Sequence, residues 1–399
     1  MKTIVIVDTL WTGHHPTYLN FVAMALIQSN HQVVVLCPKP NEVYESIYLN
    51  TPEKIKNLIV DTLVDAKLPP IKIRGMNSFL PIFSRWYKAS VGIKKASKKF
   101  NFNPDFVLFN YFDSYLYPSE SLLKCRFFYA LVKAIFPYKW LGILFHTEFE
   151  DVFFSPHKYK ILCSKKCQAF AVLSERNATK LRFIDKNIVV LPDIADKSLP
   201  NDTYPVVQQI RDKARGRSII GLLGSLARRK GMLAFIEIAK KSVNQPYLFL
   251  LAGSLDKSAF SQDEISEIME FYESNPDNCF FWFERMPKES DFNALVNQCD
   301  LLYAVYDTFS SSSNILTKAT LFNKPILVAQ GYLMERQVKE FNLGLSASQW
   351  DIDEQIECIR ILLNKEDFLL KVGQPRFKDF RNLTSTEAFD NKLLSLFDT

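Results

Sequence analysis

The feature that most constrains the fold is a repeated alternation of short apolar runs with helix-length amphipathic segments. The runs are four to six residues long. They lie at 3–7, 32–36, 106–109, 141–145, 169–173, 188–191, 218–223, 247–251, 279–283, 301–305 and 325–328. Uniformly apolar strands separated by helices are typical of parallel sheets that are covered on both faces. The sequence therefore predicts an α/β protein with two Rossmann-like, doubly wound domains.

Length and turn-forming residues indicate where the domains divide. A chain of 399 residues, 48% of them hydrophobic, can bury two cores and exceeds the usual size of one. Turn formers cluster at 192–205, which we predict to be a linker. The domains are expected at 1–199 and 200–374, with a helical segment at 375–399 that packs back on the first. Because ligands of doubly wound sheets bind beyond the carboxyl ends of the strands, two facing domains would form a cleft.

Positive charge is concentrated in the first half of the chain. Residues 1–200 contain 26 Lys and Arg against 16 Asp and Glu, and 66–104 contains nine basic residues and no acidic one. Within 66–104 we predict a helix capped by Ser84. Its apolar stripe would consist of Trp86, Ile93, Ala96 and Phe100. The basic face of this helix would either bind an anionic membrane surface or simply be solvated, and the charge pattern leaves both alternatives open.

Several features argue against export, a membrane span and a metal site. The first apolar run is too short for a secretory signal. Lys133, Pro137 and Lys139 interrupt the aromatic stretch 126–145 well below the ~20 residues of a spanning helix. Seven cysteines, an odd number, suit a reducing compartment, and none has partners at zinc spacing. We expect a cytoplasmic protein, at most peripheral at the inner membrane face, with no metal and no nucleic-acid partner.

Two strand-to-helix turns in the second half are suited to binding phosphate. The first, 224–231, reads GSLARRKG, in which Arg229 and Lys230 can neutralise phosphate oxygens. The second, within 307–319, has serines at 310–313 followed by Asn314, where free N–H groups and a helix dipole would attract an anion. The alternatives are a solvated basic loop and ordinary helix caps. One cap needs only one serine, so the run favours a diphosphate site.

Two turns in the first half carry histidines that could contact a substrate. Gly13, His14 and His15 follow the first apolar run and precede a helix pattern, although Gly-His-His-Pro could also be only a turn. His146 ends another apolar run and is followed by Glu148. An imidazole at such a strand end can donate to a sugar hydroxyl or to an acceptor carbonyl, but a single histidine beside a strand is often structural.

Four segments carry a resemblance to a known enzyme family. VLPD at 190–193 precedes the turn at 224–231, which is followed by LLAGS at 250–254 and LFNKPILV at 321–328. In this order they resemble glycosyltransferases of the GT-B fold, nearest to the large retaining group called family 4. That family has the pattern Gly-Arg-Leu, three variable residues, Lys-Gly at the first turn, so Ser225 replaces an arginine here. The likeness covers nearly the whole chain, with the specific motifs in its second half.

The resemblance implies transfer of a sugar from a nucleotide sugar, UDP- or GDP-linked, to a glycan, lipid-linked or other acceptor. Transfer would need no metal or other cofactor and would retain the anomeric configuration. Domain 1–199 would bind the acceptor, through His14 and His15, and domain 200–374 the donor. We expect His146 and Glu148 to be catalytic. The expected donor-binding residues are Gly13, Gly224, Ser225, Arg229, Lys230, Ser311, Ser312, Ser313, Asn314, Thr317 and Lys318.

One departure from the family pattern keeps other functions open. Where the family usually has two glutamates near the sugar and the ribose, this chain has Ser310 and Lys318. Ribose and sugar recognition must then be achieved differently. The alternatives are a nucleotide-sugar epimerase, which would need acid/base carboxylates near the sugar, and a catalytically silent GT-B subunit that binds a partner transferase.

Overall fold

A computed structural model describes residues 1–11, 15–63, 79–117, 119, 121–145, 156–309 and 312–398. The chain forms two compact units. The first comprises Met1–Pro192 together with Thr386–Thr399, and the second comprises Asp193–Ser385. Each unit contains a parallel β-sheet packed against helices, as the alternation of apolar runs predicts.

The first unit has a seven-stranded parallel sheet. Its strands are β1 (Thr3–Val7), β2 (Gln32–Cys37), β3 (Leu58–Thr62), β4 (Phe106–Phe109), β5 (Trp140–Leu144), β6 (Cys167–Val172) and β7 (Asn187–Val190). Helices α1 (His15–Gln28), α2 (Pro40–Asn50), α3 (Phe79–Phe100), α4 (Leu122–Ile135) and α5 (Glu175–Lys180) connect them. The strand order β3-β2-β1-β4-β5-β6-β7 reverses direction between β1 and β4. Ligands of doubly wound sheets bind at such a switch point.

Helix α3 begins earlier than the sequence indicates. The predicted cap at Ser84 is wrong, because the helix starts at Phe79 and Ser84 lies inside it. The buried side chains of Phe79 and Phe83 extend the apolar stripe toward the amino end, so the helix continues through Ser84. Trp86 is fully buried, and its indole N–H donates to the carbonyl oxygen of Tyr115 at 3.1 Å.

The second unit has a six-stranded parallel sheet. Its strands are β8 (Ser218–Leu223), β9 (Tyr247–Ala252), β10 (Cys279–Trp282), β11 (Leu301–Ala304), β12 (Ile326–Ala329) and β13 (Gly344–Ala347). The larger helices are α6 (Pro205–Ala214), α7 (Met232–Lys241), α8 (Gln262–Glu273), α9 (Glu289–Gln298), α10 (Asn314–Leu321), α11 (Leu333–Phe341), α12 (Ile352–Leu363), α13 (Lys365–Val372) and α14 (Phe377–Leu383). In the order β10-β9-β8-β11-β12-β13 the switch point lies between β8 and β11.

Both faces of the second sheet are buried. Ile219 and Leu223 of β8 belong to one apolar cluster, whereas Ile220 and Leu222 belong to another. Successive side chains of a strand point to opposite faces, so the two clusters are the two faces of one sheet. This burial explains why the strands read as continuous apolar runs.

The last helix, α15 (Thr386–Leu394), belongs to the first unit and packs against α1, with Phe389 near Tyr18 at a ring-centroid distance of 6.3 Å. All seven cysteines are free thiols. No helix in the described part of the chain combines the length and the apolar character that crossing a bilayer requires.

Candidate functional site

Close backbone packing shapes the turn that follows β8, which we call the β8 turn (224–231). Gly231 has φ +75°, and a Cβ atom there would lie 2.3 Å from the carbonyl oxygen of Val305. Gly253, after β9, has φ +142°, and its Cβ would lie 1.7 Å from the carbonyl oxygen of Gly224. Only glycine is accommodated at these two positions. The β8 turn therefore lies against the segment 305–309, which we call the β11 turn.

The three consecutive basic residues of the β8 turn have different surroundings. Arg228 forms ion pairs, with its Nε 2.8 Å from Glu264 Oε1 and its Nη1 3.7 Å from Asp307 Oδ2. The backbone N–H of Ser261 and the Arg228 guanidinium hold the pKa of Glu264 below its ordinary value. The positive charge of Arg228 is thus balanced within the protein.

Arg229 and Lys230 rest on aromatic rings instead. The Lys230 ammonium lies 3.8 Å from the ring centre of Tyr306 and 5.7 Å from that of Phe309, and the Arg229 guanidinium lies 5.4 Å from Phe309. The backbone N–H of Asp307 donates to the carbonyl oxygen of Arg229 at 2.8 Å, which joins the two turns. Neither cation has an acidic side chain within 4 Å in the described ranges. At the switch point of the sheet, two positive charges remain available to a ligand.

The start of α10 follows the β11 turn. Ser313 is the N-cap residue and its side chain makes no capping bond, and Asn314 is the first helical residue. The first N–H groups of any helix lack intrahelical acceptors and form its positive end. Ser311 lies outside the described residues.

Hydroxyl groups near the start of α10 bind the first residue of the second unit. Ser312 Oγ donates to Asp193 Oδ2 at 2.6 Å, and Thr317 Oγ1 donates to the carbonyl oxygen of Asp193 at 2.8 Å. These two hydroxyl protons are therefore used within the unit. The groups in this region that can bind an anion are the backbone N–H groups at the start of α10. Asp193 lies close to them.

Lys318 is engaged with protein groups. Its side chain is 1% exposed, and its ammonium lies 2.8 Å from Glu289 Oε2, 2.5 Å from Asn293 Oδ1 and 3.3 Å from the carbonyl oxygen of Asp196. Three acceptors account for the three protons of an ammonium group. The predicted donor contact of Lys318 would require at least one of these bonds to be broken.

In the first unit a polar cluster lies at the switch point between β1 and β4. We call Asp8, His15 and Asn110 the Asp8 cluster. Asp8 follows β1, His15 begins α1 and Asn110 follows β4, and all three are buried. His15 Nδ1 is 2.9 Å from each Asp8 carboxylate oxygen. Asn110 Nδ2 donates to Asp8 Oδ2 at 2.7 Å, and the Leu10 N–H donates to Oδ1 at 3.0 Å.

The imidazole of His15 is also fixed in its plane. It stacks on Tyr111 with ring centres 3.6 Å apart, and Tyr111 stacks on Phe145 at 4.1 Å. The sequence predicts a substrate contact for His15 but not the roles of Asp8 and Asn110. A signal for both exists, since each is a polar residue directly after a buried strand. Of the other predicted residues, Gly13, His14, His146 and Glu148 lie outside the described residues.

Among the described residues, no group of three or more His, Cys, Asp or Glu side chains is placed to hold a metal ion.

The two parallel-sheet α/β units together have the architecture of GT-B glycosyltransferases. The HepE protein of Anabaena, in a crystal structure with UDP and glucose, is similar with a TM-score of 0.68 at 13% identity, over 100% of both chains. Sucrose-phosphate synthase from Thermosynechococcus elongatus is similar with a TM-score of 0.67 at 15% identity, over 100% of this chain and 98% of that one.

A third similar structure is a glycosyltransferase from Rickettsia africae, with a TM-score of 0.65 at 14% identity over 99% of this chain and 97% of that one. No protein-family model and no curated protein sequence matches the chain. At these identities the likeness is one of fold, and the function has to be argued from the residues of the site.

Proposed function

We propose that the protein is a glycosyltransferase that moves a sugar from a nucleoside diphosphate sugar to an acceptor hydroxyl. The observation that carries the proposal is a pair of cations, Arg229 and Lys230, that have no acidic partner in the described part of the chain. They lie at the switch point of the second sheet and beside the β11 turn that leads to α10. The GT-B architecture supports it, and so do the similar structures with UDP and with UDP-glucose. UDP- and GDP-sugars are the expected donors, and membership of family 4 stays a prediction.

The residues of the second unit would act mainly on the departing diphosphate. When the bond between the anomeric carbon and the diphosphate breaks, negative charge grows on the leaving oxygen. Arg229, Lys230 and the N–H groups at the start of α10 would stabilise this charge, a role that a divalent cation plays in other enzymes. We therefore propose transfer without a required metal. Retention of the anomeric configuration, and catalytic roles for His146 and Glu148, remain predictions from the resemblance.

Calorimetric titration with UDP, GDP, ADP, UMP and uridine tests the proposal. We expect one diphosphate to bind at least about tenfold more tightly than its monophosphate, because a second phosphate reaches two cations. Raising the salt concentration should weaken the diphosphate complex much more than any nucleoside complex. Equal affinities for UDP, UMP and uridine would contradict a diphosphate site.

Incubation with nucleotide sugars then separates the three functions that share this fold. Transfer to an added acceptor supports the proposed glycosyltransferase. Interconversion of the donor sugar without an acceptor would identify an epimerase instead. Binding of the donor without turnover on any of a broad panel of glycan and lipid-linked acceptors would identify a silent subunit.

A second part of the proposal places the protein on an anionic membrane surface, where a lipid-linked acceptor would be found. The described part of 66–104 includes α3, whose Lys94, Lys95 and Lys98 are exposed. Helix α4 packs against α3 and exposes Leu123 and Phe127, which are 76% and 49% accessible. Beside these two apolar side chains α4 itself exposes Lys124, and exposed apolar side chains next to basic ones are typical of interfacial membrane binding.

Sedimentation with vesicles tests this attachment. Binding is expected with vesicles that contain phosphatidylserine and not with pure phosphatidylcholine, and it should weaken in high salt. Leu123→Ser should reduce it, whereas Leu370→Ser, at an 89% exposed leucine of the second unit, should not. Absence of binding, or binding that salt does not change, would refute the membrane proposal.

A further inference from the structure

We infer that the first unit binds the phosphate group of a small molecule in a pocket at the carboxyl ends of β1, β2 and β3. We call it the Arg85 pocket. It has a volume of about 340 Å³ and lies between Thr9, Pro38, Leu63 and the segment 81–88 of α3, all within the first unit. The inference adds a second anion site to the diphosphate site proposed for the second unit, and it needs no particular arrangement of the two units.

The sheet forms one wall of the Arg85 pocket. The parallel register of β1, β2 and β3, continued past the ends of the strands, aligns Thr9, Pro38 and Leu63 in one row. Because side chains alternate along a strand, Thr9 and Pro38 lie on the same face as Val7 and Leu36, which pack in one apolar cluster with α3. Ligands of doubly wound sheets bind beyond the carboxyl ends of the strands, and the pocket lies there.

One face of α3 forms the opposite wall. Pro81, Ser84, Arg85 and Lys88 line the pocket, and their spacing places them on one side of the helix. Ser84, Arg85 and Lys88 are each half-buried. None of the lining residues in the described ranges is acidic. The pocket therefore has two cations in its wall and no carboxylate, which favours an anionic ligand.

Arg85 is held in place by one hydrogen bond and keeps other donors. Its Nη1 donates to the carbonyl oxygen of Ser114 at 2.6 Å. Among the residues that the structure describes, no acidic side chain lies within 4 Å of the Arg85 guanidinium. A guanidinium has five N–H donors in a planar fork, so the remaining ones can bind phosphate while the bond to Ser114 fixes the side chain. Partial burial strengthens such a contact, because the local dielectric constant is lower than that of water.

The other lining groups favour a phosphate ester. A phosphate monoester has nearly two negative charges at neutral pH, which matches two cations, and the hydroxyls of Thr9 and Ser84 can donate to its oxygens. Pro38, Leu63 and Pro81 provide apolar surface for the carbon skeleton. A sugar phosphate and a phospholipid head group both have this chemistry. That the bound molecule is the sugar acceptor rests on the proposed function, whereas its binding does not.

Calorimetry on the full chain with excess UDP present tests the inference, with inorganic phosphate, glucose 6-phosphate and glucose as probes. Glucose 6-phosphate should bind at least about tenfold more tightly than glucose, and Arg85→Gln should weaken its binding by at least about tenfold. Lys95→Ala is the matched control, because Lys95 is an exposed cation of the same helix, and it should change the affinity by less than about twofold. Ser84→Asp places a negative charge in the pocket wall and should also weaken binding, which decides the matter if Arg85→Gln fails to fold.

Sedimentation with vesicles that contain phosphatidic acid distinguishes the two sources of the phosphate. Binding of glucose 6-phosphate that depends on Arg85 supports a soluble sugar phosphate. Binding of the vesicles that Arg85→Gln lowers much more than Lys95→Ala supports a lipid head group. The inference is overturned if Arg85→Gln and Lys95→Ala have equal effects on every probe, or if glucose binds as tightly as glucose 6-phosphate. A wild-type protein that binds phosphate at Arg85 and no nucleotide would instead overturn the proposed function.

Discussion

In the second unit, Arg229 and Lys230 rest on aromatic rings and have no acidic partner among the described residues, whereas His15 in the first unit lies 2.9 Å from a buried carboxylate. Both regions occupy the switch point of a parallel sheet, so the fold alone does not distinguish them. The difference lies in charge balance. Cations without an acidic partner attract an anion, whereas a buried carboxylate fixes the orientation of the imidazole that it binds. The same architecture thus places two different electrostatic environments at its switch points.

A similar contrast exists within the second unit, between Lys318 and Lys230. Lys318 is buried and bound by three acceptors, while Lys230 lies over an aromatic ring. Burial with full pairing indicates a structural role, and a cation without an acidic partner indicates a ligand. Substitutions of charged residues in both units test these assignments.

Lys318→Met should have the largest effect, a loss of about 3 kcal/mol in the free energy of unfolding. The substitution leaves Asn293 and Glu289 without the ammonium that they bind. Urea unfolding measures the loss, and calorimetry on the folded variant should give an unchanged affinity for UDP. Wild-type stability together with weakened UDP binding would indicate that Lys318 contacts the donor, as the sequence predicts.

Lys230→Ala should show the reverse pattern. Loss of one charge-assisted phosphate contact should weaken diphosphate binding by about 1.5–3 kcal/mol. The melting temperature should change little, because Lys230 has no acidic partner in the described ranges. Lys241→Ala, at an exposed lysine that ends α7, is the matched control. Equal affinities of wild type and Lys230→Ala for the diphosphate would show that Lys230 does not contact it.

Asp390→Asn tests how much the fold is destabilised by an ionised carboxylate of the first unit that lacks hydrogen-bond donors. Asp8 has three donors, whereas Asp390 Oδ1 is buried without a partner in the described part of the chain. Burial and the charge of Glu387 raise the pKa of Asp390 to about 6. An unfolded carboxyl titrates near 4, so the ionised form destabilises the fold progressively between about pH 4 and pH 6 and fully above it.

The amide variant should therefore be more stable than wild type at pH 7.5, by about 1 kcal/mol after allowance for solvent screening, and equal to it at pH 3.5. Thermal unfolding at the two pH values measures the difference. A gain of the same size at both pH values would show that ionisation of Asp390 is not its cause.

Asp193→Asn should change the affinity for UDP only slightly, and the direction of the change is what distinguishes the alternatives. The Asp193 carboxylate binds Ser312, immediately before the N-cap of α10. Its charge repels an anion at the helix start, so the neutral amide should raise UDP affinity by about 0.3–1 kcal/mol. The gain should disappear in high salt. A lower affinity would place the diphosphate away from the α10 start.

Much of the fold follows from local sequence, because all eleven predicted apolar runs form strands. Strands β3 and β13 were not predicted. Each lies at one edge of its sheet, and β13, with the sequence GLSA, is only partly buried. The sequences of these two strands, LIVDT and GLSA, contain polar or small residues, so their apolar signal is weak. The other two edge strands, β7 and β10, have more apolar sequences, NIVV and CFFW, and were predicted.

The candidate sites divide in the same way. Arg229 and Lys230 were predictable because a phosphate-binding turn is a contiguous sequence motif. The pairing of Asp8 with Asn110 was not, because their hydrogen bond joins residues 102 positions apart. The pairing of Lys318 with Asn293 and with Asp196 also depends on the tertiary fold. The sequence identifies the cations of a turn, and the structure shows which of them already form ion pairs or hydrogen bonds within the protein.

A crystal structure of the protein with UDP would show whether the β8 turn binds the diphosphate. We expect diphosphate oxygens within about 3.2 Å of the Lys230 ammonium or the Arg229 guanidinium, and at the same distance from a backbone N–H at the start of α10. Lys318 should keep its bonds to Glu289 and Asn293. A diphosphate bound elsewhere, with Lys230 still over Tyr306 and no phosphate near it, would contradict a diphosphate site at the β8 turn.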